Sequence, residues 1–470
     1  MAPLTLGHGI GFALTLAFMA GVGLVSGRNV KSSSDFSVGG RRAGPAIVAG
    51  TIMGTLVGGA STVGTAQLAF QVGLSAWWFT LGAGLGCLAL AMFFAVPVRH
   101  RGAETVSQIV SSEYGPLSKT LSGISLSLGI FLNVVAQILA GVALLKSLFG
   151  IGPAAAAVAT AICMGSFVLS GGIWGAGVSG TAKTIILYVS VAMGGAIGYG
   201  LSGGVSGLKD AFPAFPWFSL FGRGFVTDAS AGFSLLIGVL STQTYLQALL
   251  SAKDDKSAVR GSLAGAFLIP PIGLAGVVIG LFMRRTHPGI DPSSAFPTFV
   301  LEYVPAWLGG VVLASLFIAV LGTGSGLALG IGVILSKDFY ALRRGKRGEK
   351  PKDKDVLLFS RISIALVLAL AAAFSTSNIK SLILQWSFLS MGLRGAAILA
   401  PLIGALFLKG RIGKRWALVS MVAGPVAMIL WKGLFPRGLD PLVPGVGISF
   451  GLMALGYFAG LKIKPRNPSL

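Results

Sequence analysis

Residues that usually carry enzyme chemistry are scarce in this chain. Only 11% of the 470 residues are charged, 14 are acidic, three are histidine, and two, Cys87 and Cys163, are cysteine. Both cysteines fall within apolar stretches, so the sequence suggests neither a disulfide framework nor a thiolate metal site. HExxH, CxxC, P-loop and nucleophile-elbow patterns are also missing. We therefore expect a protein that is not an enzyme and that has no organic cofactor.

Apolar residues dominate the composition instead. They make up 54% of the chain, the mean hydropathy is +0.85, and 70 residues are glycine, a residue that lets helices pack closely in lipid. We predict an all-α polytopic membrane protein with about 13 transmembrane helices, placed in the plasma (inner) membrane. The predicted segments are 6–26, 43–72, 75–98, 120–147, 152–173, 181–202, 226–250, 261–283, 306–335, 358–377, 382–408, 415–435 and 444–461.

The basic residues are distributed unevenly between the loops. Of the 36 lysines and arginines, 27 fall in one alternate set of loops and tails, and only eight fall in the other set. Because cytoplasmic loops carry the excess of lysine and arginine, we predict an N-terminus outside and a C-terminus in the cytoplasm. The net charge of +22 then reflects topology, and we expect no nucleic-acid partner. No basic residue precedes the first segment, which favours a retained helix over a cleaved signal peptide.

One cation, Arg394, falls deep inside an apolar stretch that runs from Leu382 to Leu408. It lies roughly 18 Å of helix from the nearer end, which is too far for its side chain to reach the headgroups. A guanidinium in hydrocarbon costs at least about 3 kcal/mol, so we expect a polar partner or a watery cavity around it. It could bind an anionic group of a substrate. Alternatively, it could be a structural cation that pairs with backbone carbonyls at a helix break.

Two apolar segments are interrupted in a way that is typical of transporter binding sites near the bilayer midplane. The second segment contains Gly58-Gly59 and then Ser61-Thr62, a poor helix interior whose opening would free the carbonyls of residues 54–57. The seventh segment, five places later, contains Ser241-Thr242-Gln243, as two inverted halves of five helices would require. Close helix packing through small residues is the alternative explanation for the glycine pair. The predicted substrate-binding residues are Gly58, Gly59, Ser61, Thr62, Ser241, Thr242, Gln243 and Arg394.

Several stretches of the chain resemble the sodium:solute symporter family, which has the LeuT-type fold. They are Asp35-Phe36-Ser-Val-Gly39-Gly40-Arg41, Gly73-Leu74-Ser75-Ala76-Trp77, and the run from Ala295-Phe296-Pro297 through Pro305 to Asp338 and Tyr340. The resemblance implies ten core helices in a 5+5 inverted repeat, with one helix before them and two after. We thus expect one transmembrane transporter domain over residues 1–470. Its predicted parts are an extra helix and loop at 1–42, a first repeat at 43–202, a second repeat at 226–408, and two helices with a tail at 409–470.

The resemblance also implies a sodium site. The family takes carbonyl oxygens from its first core helix and a carbonyl and two hydroxyls from its eighth. On this sequence the carbonyls fall on Gly54, Val57 and Ala319, and one hydroxyl falls on Thr323. The other hydroxyl position is Gly322, which has no oxygen. The acidic residue that is common near the start of the family's fifth core helix is replaced here by Lys183.

Lys183 is therefore a candidate to replace the sodium ion. From its helix a long side chain could place an ammonium close to Thr323 and the freed carbonyls of the second segment. The alternative is that Lys183 extends to the cytoplasmic headgroups from the start of its helix.

These observations predict a secondary active transporter that moves a small hydrophilic solute by alternating access. Arg394 favours an anionic or zwitterionic substrate with a carboxylate, such as a monocarboxylate or an amino acid, over a sugar. Sodium is the coupling ion that the resemblance implies, and the alternative is proton-coupled or uncoupled transport in which Lys183 replaces sodium. A channel or a sensor of transporter fold is a further possibility. The predicted partners are the small-molecule substrate and the lipid bilayer.

Overall fold

The structure, a computed structural model, describes residues 4–27, 41–168, 172–340, 344, 352–435 and 439–463. Most of the basic run at 343–355 and residues 35–40 of the loop motif lie outside these ranges. The described residues are overwhelmingly helical, and helices form within all thirteen of the predicted apolar segments. The fold is therefore all-α, as the sequence predicts.

The helices are numbered in chain order. They are α1 (Leu6–Gly27), α2 (Pro45–Leu56), α3 (Thr65–Val72), α4 (Trp78–Ala89), α5 (Ala95–Arg99), α6 (Val106–Tyr114), α7 (Pro116–Phe149), α8 (Pro153–Val168), α9 (Gly172–Leu201), α10 (Gly204–Ala211), α11 (Phe225–Ser241), α12 (Gln243–Ser251), α13 (Asp255–Thr286), α14 (Ala295–Tyr303), α15 (Ala306–Ile334), α16 (Asp353–Thr376), α17 (Ile383–Arg394), α18 (Ala400–Phe407), α19 (Lys414–Leu434) and α20 (Leu442–Ile463). A single α-helical turn lies at Ala214–Trp217, and short turns of other helical types are Ala60–Gly64, Gly73–Trp77, Leu90–Phe94, Pro292–Ser294, Leu335–Tyr340 and Gly395–Leu399. Helices α6, α10 and α14 lie in loops between the apolar segments.

Length and composition qualify many of these helices to cross a membrane. Over the described residues, eight helical runs are both long enough and apolar enough to cross a membrane, or nine when the bent pair α11 and α12 is taken as one span. Shorter apolar helices occupy Leu6–Met19, Pro45–Leu56 and Pro153–Phe167. The total of 13 crossings and the orientation of the termini stay predictions.

Both predicted helix breaks are present. Helix α2 ends at Leu56 because Val57 adopts an extended conformation, with φ −90° and ψ 102°, and helical structure resumes at Ala60 in a π turn. Helices α11 and α12 meet at Thr242, which is also extended, and the chain bends there by 44°. Each break leaves backbone groups without their helical partners, which side chains or ligands must satisfy.

The packing of the helices repeats itself along the chain. Helix α4 packs on α11, and α13 packs correspondingly on α2 and α3. Helix α2 packs on α9, and α11 packs correspondingly on α17. Helix α7 packs on α17, and α15 packs correspondingly on α9. In each of these three pairs, the second contact joins the two apolar segments that lie five places along the chain from the two segments of the first contact. This correspondence is what two structurally related halves of five segments produce.

The two broken helices are joined to each other on one face of the molecule. Ala43, before α2, and Ala252, after α12, form a parallel bridge, in which the Lys253 N–H donates to the Ala43 carbonyl over 2.9 Å. Arg99 adds a hydrogen bond to the Ala252 carbonyl and a 2.7 Å ion pair with Asp255. These contacts lie on the face that carries the basic residues of 99–119 and 253–260.

Candidate functional site

The first break lies against helix α15, and a threonine connects the two. The Thr323 hydroxyl lies 3.0 Å from the Val57 carbonyl oxygen and 3.2 Å from that of Gly54. Thr323 is almost fully buried, so these contacts are shielded from water. Among the four positions to which the family resemblance assigned cation ligands, Gly54, Val57 and Thr323 are thus in direct contact.

Lys183 of α9 inserts its ammonium into this group of oxygens. Its Nζ lies 2.5 Å from the Gly54 carbonyl oxygen, 3.2 Å from the Ala319 carbonyl oxygen and 3.1 Å from Thr323 Oγ1. The side chain is buried, with only 2% of the residue exposed. Lys183 therefore points inward to the break and does not extend to the headgroups.

The second break meets Arg394, which is completely buried. The Arg394 Nη1 donates to Thr242 Oγ1 over 2.7 Å, and Thr242 in turn donates to the Gly238 carbonyl of its own helix. Immediately after Arg394 the chain passes into the π turn Gly395–Leu399. Such turns within helices occur frequently at functional sites.

The remaining contacts of Arg394 are with its own helix. Its Nε donates to the Ser390 carbonyl over 3.0 Å, and its Nη2 lies 2.9 Å from Ser390 Oγ and 3.0 Å from Met391 Sδ. No carboxylate is among the hydrogen-bond partners of this guanidinium within the described chain. A buried arginine with neutral partners carries an uncompensated positive charge, which favours an anion beside it.

A row of polar side chains that sequence reasoning missed connects the first break to the helix of Arg394. The Gly59 N–H donates to Gln137 Oε1 over 2.8 Å, Gln137 Nε2 lies 3.4 Å from Asn133 Oδ1, and Ser387 donates to that same oxygen over 3.0 Å. One turn further on, Ser390 donates to the Gly129 carbonyl. The signal that could have found this row is spacing, because residues 129, 133 and 137 share one face of α7.

The hydroxyl residues beside the breaks turn back on their own segments. Ser61 Oγ accepts from the Gly58 N–H, and the hydroxyls of Ser61 and Thr62 both contact the Gly58 carbonyl, at 2.9 Å in each case. Ser241 donates to the Ile237 carbonyl over 2.8 Å. These contacts satisfy backbone groups that the breaks would otherwise leave unpaired. The substrate role predicted for Ser61, Thr62 and Ser241 remains a prediction.

Gln243 is directed away from the other residues of the predicted substrate site. Its Oε1 accepts from the Val106 N–H over 2.8 Å, and its Nε2 donates to the Glu104 carbonyl over 3.2 Å. The structure thus brings Thr242 and Arg394 together and joins Gly59 to α17 through α7, but it places the side chain of Gln243 against the loop before α6.

Comparison with known proteins identifies the family to which this architecture belongs. Residues 36–424 match the sequence model of the sodium:solute symporter family. The chain belongs to this family. As a sodium:solute symporter family member it is a multi-pass plasma-membrane protein of a transporter family.

Several members and a solved structure are similar over most of the chain. Sodium/proline symporter 2 of Staphylococcus saprophyticus is 24% identical over 415 residues, covering 85% of this chain and 80% of that protein. The sodium/proline symporter of Staphylococcus aureus is 25% identical over 447 residues, covering 88% and 85%. The structure of a Na⁺-coupled sialic acid symporter in a substrate-bound outward-open state superposes with a TM-score of 0.82 at 17% identity, covering 98% of this chain and 99% of that one. That likeness establishes the LeuT-type fold.

Membership of this family raises the question of whether a sodium ion fits the first break. The oxygens of Gly54, Ala319 and Thr323 gather there, but each already lies within hydrogen-bond distance of Lys183 Nζ. Gly322 offers no hydroxyl, and a Cβ built on it would lie 3.0 Å from Lys183 Cδ and 3.2 Å from Nζ. The lysine side chain thus occupies the space beside residue 322, and the residues present do not fit sodium while it remains there.

The glycine pair of the first break also allows close packing. A Cβ on Gly59 would clash with Ala140 and would lie 2.8 Å from Val320 Cγ2. We expect Gly59→Ala to destabilise the protein by about 1–3 kcal/mol through overpacking. The midpoint of thermal unfolding of the detergent-solubilised protein measures this effect. Gly9→Ala in α1, where no atom lies within 4 Å of the new methyl group, is the matched control and should unfold near the wild-type temperature.

Proposed function

We propose that this protein is a secondary transporter in which the ammonium of Lys183 holds the position of the coupling cation. The transported solute is small and hydrophilic and carries a carboxylate, and it crosses by alternating access. The observation that carries the proposal is the contact of Lys183 Nζ with three oxygens from two other helices.

The number of these contacts favours a protonated lysine. An ammonium has three N–H donors, one for each of the oxygens on Gly54, Ala319 and Thr323, whereas a neutral amine has only two. Loss of the proton would therefore break one link among α2, α9 and α15. Transport is then proton-coupled if Lys183 loses its proton during the cycle, and uncoupled if it keeps the proton throughout.

The carboxylate on the substrate is inferred from Arg394. Its buried guanidinium has neutral partners, lies at the second break, and belongs to a helix that is hydrogen-bonded through Asn133 and Gln137 to the first break. Planar guanidinium groups pair bidentately with carboxylates. Proline and sialic acid, which are named as substrates of two similar proteins, are both carboxylic acids. A channel or a sensor has no comparable observation in its favour.

Sodium-coupled symport is the second candidate function. It is favoured by the family and by similar proteins that are named sodium/proline symporters. Because Lys183 occupies the oxygens at the first break, this candidate requires sodium to bind elsewhere or the lysine side chain to leave.

The two candidates differ in the gradient that drives uptake. We expect proteoliposomes containing the wild-type protein to take up substrate equally well with sodium and with choline outside, because the internal ammonium replaces the ion. An imposed inward proton gradient should stimulate uptake if the protein is proton-coupled. Uptake that depends strictly on a sodium gradient would reject the lysine mechanism and favour the second candidate.

The substrate for this experiment can be found by thermal stabilisation of the purified protein. A metabolite library is screened with each carboxylate hit paired with its neutral carboxamide, which has the same shape without the charge. A ligand at a thousand times its Kd stabilises by about 4 kcal/mol, which is readily seen as a shift in the unfolding midpoint. We expect carboxylates to stabilise and their carboxamides to have little effect. Equal stabilisation by both would contradict the role of Arg394.

A further inference from the structure

The side-chain amide of Gln243 joins the second break to loop 104–106, which lies on the face that carries the basic loops. Thr242, which contacts Arg394, and Gln243, the first residue of α12, are neighbours in sequence. Gln243 is completely buried, and it contacts the loop through both ends of its amide, with Oε1 on the Val106 N–H and Nε2 on the Glu104 carbonyl. The side-chain amide thus forms one accepted and one donated hydrogen bond with the backbone of the loop, as a peptide group does with a neighbouring strand in a β-sheet.

The loop is fixed on its other side by the end of the core helix α15. Thr105 donates to Asp338 Oδ1 over 3.1 Å, and Lys119 Nζ lies 3.4 Å from the same oxygen. Glu104 forms a 3.0 Å ion pair with Lys337. Asp338 is buried, and its Oδ2 has no hydrogen-bond partner within the part of the chain that the structure describes. Loop 104–106 is therefore anchored to the turn Leu335–Tyr340 after α15, which Lys119 of α7 also contacts, and Gln243 attaches α12 to the same loop.

We propose that Gln243 is a latch on the face that the charge distribution predicts to be cytoplasmic. The latch holds α12 against loop 104–106 in the conformation described here, and its release accompanies the opening of the transport path on that face. This inference rests on the proposed transport function, and it gives Gln243 a positioning role in place of the substrate contact that the sequence suggested. Since Thr242 and Gln243 are adjacent, a ligand that draws Arg394 away from Thr242 acts directly on the residue beside the latch.

The test measures the distance between α12 and α6 in the purified protein. Nitroxide labels are placed on cysteines substituted for the exposed residues Lys253 and Ser112, in a background in which Cys87 and Cys163 are alanine. We expect Gln243→Leu to raise the ratio of long to short distances by about 5- to 100-fold, as the loss of two hydrogen bonds predicts. A distance distribution that is unchanged in Gln243→Leu overturns the latch.

A neighbouring residue provides a matched control for packing. Thr244 is also buried in α12, and among the described residues its hydroxyl has no hydrogen-bond partner, so Thr244→Val removes a hydroxyl that makes no hydrogen bond there. We expect this variant to keep the wild-type distances. An equal shift in Thr244→Val and Gln243→Leu would show a general response of α12 to mutation and would overturn the latch.

A milder variant covers the case in which Gln243→Leu does not fold. Gln243→Met has nearly the shape of glutamine but cannot donate to the Glu104 carbonyl, so we expect a shift in the same direction. No shift in this folded variant overturns the latch. Because the distance is measured without transport, the latch can succeed or fail independently of the uptake assays that test the proposed function.

Discussion

Lys183→Ala is expected to reduce sodium-independent uptake by about 10- to 100-fold. The substitution removes the charged donor that links the oxygens of Gly54, Ala319 and Thr323, and the loss of each hydrogen bond from a charged group costs about 1.5–3 kcal/mol. Initial uptake rates in proteoliposomes, with choline as the only external cation, measure the effect. Lys146→Ala, at a half-exposed lysine elsewhere in the chain, is the control and should keep the wild-type rate.

A second substitution distinguishes loss of the cation from loss of the fold. In Lys183→Ala, the space beside Gly322 is vacated, so Gly322→Ser can supply the hydroxyl that the sodium site of the family requires. We expect the double variant to regain uptake only when sodium is present. The single variant Gly322→Ser should be impaired with or without sodium, because its side chain meets Lys183. Sodium-driven uptake that survives in Lys183→Ala alone would contradict the replacement of sodium by lysine.

Arg394→Lys is expected to weaken the binding of a carboxylate substrate by about 10- to 100-fold. Lysine keeps the charge but loses the planar fork that pairs with both carboxylate oxygens and that also reaches Thr242 and Ser390. Titration of the substrate by thermal shift or by isothermal calorimetry gives the affinity. The carboxamide analogue should bind the wild type and the variant equally weakly.

Arg394→Leu separates a ligand role from a structural role. If the residue only supports the helix break, the variant loses thermal stability but keeps its preference for carboxylates over carboxamides in whatever folded fraction remains. If it binds the substrate, the preference disappears while a folded, monodisperse protein can still be purified. Normal transport by Arg394→Leu would exclude both roles.

Local composition was sufficient to predict the helical segments and the two helix breaks, whereas the 5+5 repeat was expected from the family resemblance. Apolar runs set the helices, and two features mark the breaks: Gly58-Gly59 before two hydroxyl residues, and Ser241-Thr242-Gln243 inside an apolar segment. The family resemblance, through the missing acid and the missing hydroxyl at Gly322, suggested an inward direction for Lys183 but left the headgroup alternative open, and the structure places its ammonium at the first break.

The details of the polar interior depend on tertiary contacts that no local pattern determines. The local sequence does not distinguish Asn133, Gln137 and Ser387 from other polar helix residues. They come into contact only because α7 and α17 pack with their polar faces together. Gln243 lies at a predicted break, but the direction of its side chain depends on loop 104–106, which is 137 residues away along the chain. Helix propensity and hydrophobic periodicity carry no information about such pairs of distant residues, which are seen only once the helices are packed together.

If the ammonium of Lys183 replaces the coupling ion, as proposed, the ion concentration outside no longer controls how often the cation site is filled. A dissolved ion must be captured at each cycle, so its site is filled according to the ion concentration outside, whereas a charge carried on the chain is present at a fixed and very high effective concentration. Such a tethered charge would not depend on the external ion concentration, so the uptake rate would be the same at low and at high external salt concentration. In the proposed mechanism the same attachment would remove the sodium gradient as a source of driving force, so that accumulation would be limited by the proton gradient or the solute gradient across the membrane.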